Sequence, residues 1–286
     1  MLWEPTTSPQ PDVRYGLAVP SVVRLSMAPV KGLRLVQPGS VDLAPAGIPA
    51  DRRFHLVDDT GRLLGATQVH ELLRVVPDYD PAAERLRLTF PDGAVVEGGA
   101  ADLGDVAVTD VFGRVAEGRI VRGPFAEALS AFAARPVRLV RTADGAAQDA
   151  HPLTIVSSAS VEDLAARGGR TDGVDARRFR INVEVGGVRP YEEDAWTGTL
   201  VRIGDATVRV LGQIPRCVVT TLGPDSGEKD FPTLTQLARY RPRIGGRGGL
   251  PFGMYAEVVE PGRVALGDDV EPLSAPSDRR TGVAGR

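Results

Sequence analysis

The sequence predicts an α+β fold that is mostly β, a barrel or sandwich with short helices at its periphery. Three observations carry that expectation. Short β-rich runs recur along the whole chain, turn residues separate them, and only three stretches place apolar residues at helical spacing. At 286 residues and 42% hydrophobic content, the chain can bury a large core and accommodates about two lobes.

Residues 1–18 are rich in Pro, Ser and Thr, which predicts a flexible tail. They show no basic region followed by an apolar run, so no signal peptide is expected. The first lobe is expected over 19–122, from the strand runs "SVVRLSMAPV", "FHLVDDTGRLLG", "RLRLTFPDGAVVEG" and "VAVTDVFGRVAEGRIV". Asp92-Gly93 reads as a hairpin turn, because both residues tolerate positive φ and the flanking alternation supplies two strands. Thr60 to Arg62 reads as a weaker turn of the same kind.

A helix is expected in "GPFAEALSAFAAR" from Gly123, ending before Pro136, and it marks the start of a second lobe over 123–273. "SASVEDLAARGG" predicts another, with Ser158 or Ser160 as its cap and Gly168 as its stop. "TLTQLARYR" predicts a third, between Pro232 and Pro242. Strands are expected in "VRLVRT", "LTIVSS", "FRINVEV", "TLVRIGDATVRVLGQ", "RCVVTTL" and "YAEVVEPGRVALGDDV". Residues 274–286 are polar and read as a second flexible tail.

Composition excludes several function classes. A net charge of -3 and a pI near 5.7 give no general attraction to nucleic acid or an anionic membrane surface. No apolar run approaches the ~20 residues of a membrane span. One cysteine makes no internal disulfide, iron–sulfur cluster or structural zinc site, and a reducing cytoplasm fits it best. There is no P-loop and no H-E-x-x-H pair, and His55, His70 and His151 lie far apart in sequence. "GGRGGLPFG" from Gly245 leads into a strand and reads as a loop.

What remains is Cys217 and a scatter of basic residues at strand ends: Lys31, Arg52, Arg180, Arg216 and Arg241. A lone cysteine commonly serves as a small core hydrophobe. Arg216 beside it opens another reading, since a nearby guanidinium favours the thiolate, the form that attacks electrophiles or binds metal.

The blocks "APVKGLR", "DRRFHLVD", "HPLTIVSSASVEDL", "RRFRINVEV", "PYEEDAWTGTLVRIGD", "RCVVTTLGPDSGE", "TLTQLARYRP" and "PFGMYAEVVEPGRVALGDDV" occur in an order that resembles the MOSC superfamily. The resemblance covers roughly residues 20 to 273 and is greatest in layout to the amidoxime-reducing component group and its bacterial relatives. It implies a MOSC β-barrel with peripheral short helices, packed against an N-terminal β-rich lobe. It also implies a molybdenum cofactor, with Cys217 as the metal's thiolate ligand and the catalytic residue. Lys31, Arg52, Arg180 and Asn182 match cofactor-contacting positions, with Arg216 beside the ligand. The chemistry agrees: a soft metal takes a thiolate, arginine's planar fork suits phosphate oxygens, and an amide offers a donor and an acceptor to a pterin edge.

Departures from the group's pattern fall at Gly32, where serine often follows the lysine, at "GATQ" (Gly65 to Gln68) for "TARQ", at Ile181 in "FRIN" for "FRPN", and at Pro215. His151 also stands where the group has serine; it reads first as a strand-end histidine bonded to solvent or backbone, and the resemblance implies that its backbone reaches the phosphate. Asp225 matches the family, and "GPDSG" also makes an ordinary turn.

The implied function is a molybdenum-dependent oxidoreductase that reduces N-hydroxylated small molecules. Its electrons would come from a separate donor protein, since the chain lacks both a cluster cysteine set and a nucleotide fingerprint. The alternative is a non-catalytic carrier that binds and delivers the cofactor or its sulfur, as the same domain also forms the C-terminal part of molybdenum cofactor sulfurases. A barrel that has lost the cofactor is the third reading.

Overall fold

The computed structural model describes residues 19–273, so both expected tails lie outside the described residues. The fold is α+β and mostly strand, as expected. Its largest sheet has seven strands in the order β1 (Ser21–Leu25), β12 (Val183–Gly186), β11 (Leu153–Ser157), β15 (Leu250–Glu260), β14 (Ala206–Arg216), β13 (Leu200–Ile203) and β17 (Val270–Leu273). Only β11 and β12 run parallel. The two edges of this sheet approach each other: Ser21 bridges Asp269, and the Val22 amide donates to the Asp268 carbonyl at 2.9 Å. The sheet thereby curls into a nearly closed barrel, which leaves few unpaired edge groups. Leu25, Val41, Val183, Val208, Met254 and Val264 fill its interior.

The second sheet has five strands, β4 (Leu63–Leu64), β3 (Phe54–Val57), β10 (Arg138–Thr142), β9 (Arg114–Val121) and β8 (Leu103–Val111). Beside it lies a meander of β5 (Val76–Asp80), β6 (Arg85–Thr89) and β7 (Val95–Gly99), whose last two strands are joined by the expected Asp92-Gly93 turn. A two-stranded ribbon pairs β2 (Ser40–Leu43) with β16 (Gly262–Ala265).

Lobe membership departs from the expected division at 122/123. Helix α1 (Phe125–Ala133) buries Phe125 and Leu129 in the core made by Phe54, Leu56 and Leu86, and β10 pairs with both β3 and β9. Both elements therefore belong with the first lobe. Conversely, β1 pairs with β12 and lies in the barrel. Sequence order hid this, because strand pairing between distant segments leaves no local mark. From β1 in the barrel the described chain touches the first lobe at Val30 and Leu33, returns to the barrel core with β2 and Ile48, enters the first lobe at β3, and comes back to the barrel near 142–153. These crossing segments lie between the lobes.

Helix α2 (Ser158–Arg167) is capped by Ser157, whose side chain accepts from the Ser160 amide at 3.1 Å, one residue before the expected cap. Ser160 instead donates to the buried Glu193 carboxylate at 2.7 Å. Gly168 ends the helix as expected. Helix α3 (Thr233–Leu237) is shorter than its sequence run. Together with a 3-10 turn at Ala176–Phe179, these helices close one end of the barrel around Phe179, Phe231, Leu237 and Phe252. The Phe179 and Phe252 rings stack at 4.3 Å. No helix among the described residues is long and apolar enough to cross a membrane.

His55 on β3 is fully buried and shares a 2.9 Å hydrogen bond with Thr109. Burial, and then the Lys31 charge, push its imidazole down to about 4. The unfolded chain therefore takes up this proton first as the pH falls. The stability contributed by neutral His55 is complete above about pH 6.5 and is lost as the pH drops towards about 4. Unfolding midpoints in urea should accordingly decline over that window, while the NMR signals of His55 in the folded protein remain those of neutral imidazole at about pH 5.5. An imidazole already charged at that pH would contradict this.

Candidate functional site

All seven site residues expected from the sequence line one cleft between the lobes: Lys31, Arg52, His151, Arg180, Asn182, Arg216 and Cys217. They come from widely separated segments, and the crossings bring them together. Lys31 is fixed where the chain leaves the barrel, its amide donating to the Phe54 carbonyl at 2.8 Å. Arg52 follows on the way into β3. Arg180 and Asn182 stand between the 3-10 turn and β12, and Arg216 ends β14. Cys217 begins a 3-10 turn at Val218–Thr221, with an exposed thiol. Arg216 and Cys217 share the cleft because the strand stops between them, so strand alternation no longer separates their side chains.

The polypeptide holds Cys217 from behind. Its carbonyl accepts from the Thr220 hydroxyl at 2.9 Å, and the Thr220 carbonyl accepts from Thr233 at 2.6 Å and from Arg178 at 3.3 Å. Arg178 is itself buried and makes a two-pronged pair with Asp230. The turn carrying the thiol is thereby tied to α3 and to the segment before β12.

Each cation is held differently. Lys31 donates to the Ala147 carbonyl at 2.9 Å and pairs with Asp149. Burial lowers its pKa, Asp149 opposes that, and the Arg52 and Arg180 charges lower it further. Arg52 pairs with the buried Asp51. Burial disfavours its charge, but Asp51 and Asp149 together hold its pKa above the usual value. Arg216 donates from Nε to the Phe252 carbonyl at 2.6 Å and from Nη1 to the Phe179 carbonyl at 3.0 Å. Burial pushes its pKa down to about 10. Burial, and then the Arg52 charge, push Arg180 down to about 10 as well. One Nη2 on each of Arg180 and Arg216 is buried without an acceptor.

Two of these arginines have strained backbones. Arg52 and Arg180 both have φ of 54°, in the left-handed region. Outside glycine such a conformation costs about 1–2 kcal/mol, and it persists only where the surroundings enforce it.

Asn182 borders the cleft, but its amide is committed to the protein. Nδ2 donates to the Ser26 carbonyl at 3.2 Å and to Asp51 at 3.0 Å, and Oδ1 accepts from Thr154 at 2.8 Å. The expectation that this amide offers a donor to a ligand is corrected accordingly. Asn182 anchors Asp51, which in turn orients Arg52. His151 is exposed, with its ring 4.9 Å from that of Tyr255. Burial and then the Arg114 charge lower its pKa, which favours the neutral imidazole.

Sequence reasoning missed Asp51, Asp149 and Phe112. Asp51 directly precedes Arg52, and "QDAH" places an acid two residues before His151, but neither signals its partner in sequence. Arg241 does not join the cleft: it pairs with Asp194 at 2.6 Å and lies over the Tyr191 ring. Asp225 pairs with Arg177 and Arg34, a structural use of the turn. No group of three or more His, Cys, Asp or Glu side chains able to hold a metal occurs among the described residues.

One departure in the sequence couples the Lys31 segment to the segment after β4. A Cβ at Gly32, where φ is +92°, would lie 3.0 Å from the Gly65 Cα, whereas a Cβ at Gly65 would make an ordinary 3.8 Å contact with the Gly32 Cα. Glycine at 32 therefore allows this close approach.

The MOSC domain family matches residues 142–271, and the MOSC N-terminal beta barrel domain matches residues 19–123. Mitochondrial amidoxime-reducing component 1 of Mus musculus is 34% identical over 223 residues, covering 74% of this chain and 62% of that protein. The protein of the same name from Homo sapiens is 26% identical over 283 residues, covering 88% and 82% respectively. Molybdenum cofactor sulfurase of Oryza sativa subsp. japonica is 36% identical over 120 residues, 38% of this chain and 14% of that protein. The chain thus spans just under two thirds of the mouse relative.

The close glycine approach yields a test. Gly32→Ser should destabilise the protein by about 1–3 kcal/mol, through positive φ and the contact with Gly65. Urea unfolding of the two proteins measures this, and an unchanged midpoint would contradict the coupling.

Proposed function

We propose a function from one premise: the chain belongs to the MOSC-domain family, in the layout of the amidoxime-reducing components. On our reading the cleft holds a molybdenum cofactor, and the protein is an oxidoreductase that reduces N-hydroxylated small molecules. The observation that carries this reading is an exposed Cys217 thiol at a cleft where buried Arg180 and Arg216 nitrogens lack acceptors.

The residues fit the group. An anion supplied by a ligand would accept from the two orphaned guanidinium nitrogens, and it would favour the charge that burial now disfavours on Arg180 and Arg216. A soft metal would take the Cys217 thiolate as its ligand. When bound, the cofactor would supply two-electron redox chemistry at its metal.

The chain's own residues bind and orient. Arg180, Arg216, Arg52 and Lys31 fix the anionic parts, Asp51 and Asn182 hold Arg52 in place, and the Arg178–Asp230 pair keeps the Cys217 turn rigid. Reduction of an N–OH group to N–H takes two electrons and two protons and releases water. We assign the electrons to a separate donor protein, because no dinucleotide fingerprint is present. A free, exposed thiol also suits a reducing compartment, for which we propose the cytoplasm. The carrier reading uses the same anchoring residues, and turnover with an artificial electron donor separates it from the enzyme.

The test is molybdenum and pterin content of protein made in cells able and unable to synthesise the cofactor, beside reductase activity with a dye as donor. Cys217→Ser should keep much of the pterin and lose activity. Arg180→Ala should bind pterin about 10- to 100-fold more weakly, since a charged hydrogen bond contributes about 1.5–3 kcal/mol. A fully active Cys217→Ser protein would contradict the ligand assignment.

A further inference from the structure

We propose that Phe112 is an aromatic wall of the cofactor cleft, placed to lie against the bound pterin group and exclude water from the Lys31 end. This rests on the reading that the cleft holds that cofactor.

Phe112 is 69% exposed, the second most exposed of the large hydrophobic side chains among the described residues. Its ring borders the same cleft as Lys31, Arg180 and Cys217, and Lys31 Nζ lies 5.3 Å from its centroid. It occupies the tip of the β8–β9 hairpin, where Val111 pairs with Arg114 and only Phe112 and Gly113 form the turn. Both have positive φ, 53° and 84°. A two-residue turn of this kind prefers Asn-Gly, because asparagine tolerates the left-handed conformation and phenylalanine does not. The turn therefore does not explain the residue.

Folding does not explain it either, since an exposed ring contributes little to a core. Arg52 and Arg180, the other strained residues of the cleft, carry its charges. Backbone strain of this sort collects where a side chain must be presented to a ligand. The hairpin tip is also held in place. Arg114 donates to the Gln148 carbonyl at 3.3 Å and the Ala150 carbonyl at 2.9 Å, on the segment that carries Asp149 and His151. The Gly113 amide donates to Asp110 at 2.6 Å. A flat ring on a fixed support, beside a cation and at the edge of an anion-binding cleft, suits a planar heterocycle with a charged substituent.

The test compares wild type, Phe112→Asn and Phe112→Trp. Each is prepared from cofactor-synthesising cells, dialysed, and assayed over time for retained pterin by fluorescence after acid oxidation. The same proteins made without cofactor are unfolded thermally. Phe112→Asn should release pterin about three- to tenfold faster than wild type, while its cofactor-free form unfolds about 2 °C higher as the turn strain is relieved. Phe112→Trp should release pterin at the wild-type rate. The proposal is overturned if Phe112→Asn retains pterin as long as wild type, or if its cofactor-free form unfolds at a lower temperature, the sign of a structural ring. A wild-type protein that carries no pterin overturns the reading of the cleft itself, and is seen before any variant is compared.

Discussion

Lys31, Arg52, Arg180 and Arg216 converge on one cleft, and holding these charges there is the constraint around which the structure is arranged. Like charges repel, and burial removes the water that would screen them. The cost is visible on Arg180, whose pKa falls to about 10 through burial and then through the Arg52 charge. The fold resists this repulsion with fixed acceptors. Asp51 takes Arg52, Asp149 takes Lys31, and the Phe179 and Phe252 carbonyls take Arg216. Acceptors still run out in the cleft, where one nitrogen each of Arg180 and Arg216 remains buried and unpaired. Buried polar groups left in that condition in a native structure call for an explanation, and an anionic ligand supplies one.

That arrangement also accounts for the topology. Residues 26–54 and the return near 142–153 cross between the barrel and the first lobe, and they carry Lys31, Arg52 and His151 to the face opposite Arg180, Arg216 and Cys217. A cleft so built depends on both lobes keeping their relative position. Crossing contacts fix that position, among them the bonds from Asn182 to Asp51 and from Arg52 to the Arg180 carbonyl. Strain at Arg52 and Arg180 is sustained by the same packing, in keeping with conformations that serve a ligand rather than the fold.

Much of this was legible in the sequence, and for physical reasons. Most strands, the Asp92-Gly93 turn and the three helical runs depend on local chemistry and read correctly. The strand expected in "RCVVTTL" is instead a 3-10 turn at Val218–Thr221, because β14 ends at Arg216 and the Thr220 and Thr221 hydroxyls bond back to the carbonyls of Cys217 and Val218. Sheet membership is not local: nothing in "VRLVRT" shows that β10 pairs with β3 across the residues 58–137 that separate them. The cleft residues were recognisable as a set through the order of their blocks. Their individual roles were less so, because Asn182 looked like a ligand contact and is used instead to hold Asp51. Phe112 gave no signal, since a phenylalanine before a glycine looks like an ordinary strand end until its φ is known.

The most direct test of the central claim is the position of the metal. Crystals of protein from cofactor-synthesising cells, measured on either side of the molybdenum absorption edge, locate that atom independently of any assumption about the pterin. The account predicts one anomalous peak within bonding distance of the Cys217 sulfur, with density for an anion against the Arg180 and Arg216 guanidinium groups. A molybdenum peak away from Cys217, or a cleft that stays empty in protein purified from such cells, would contradict it.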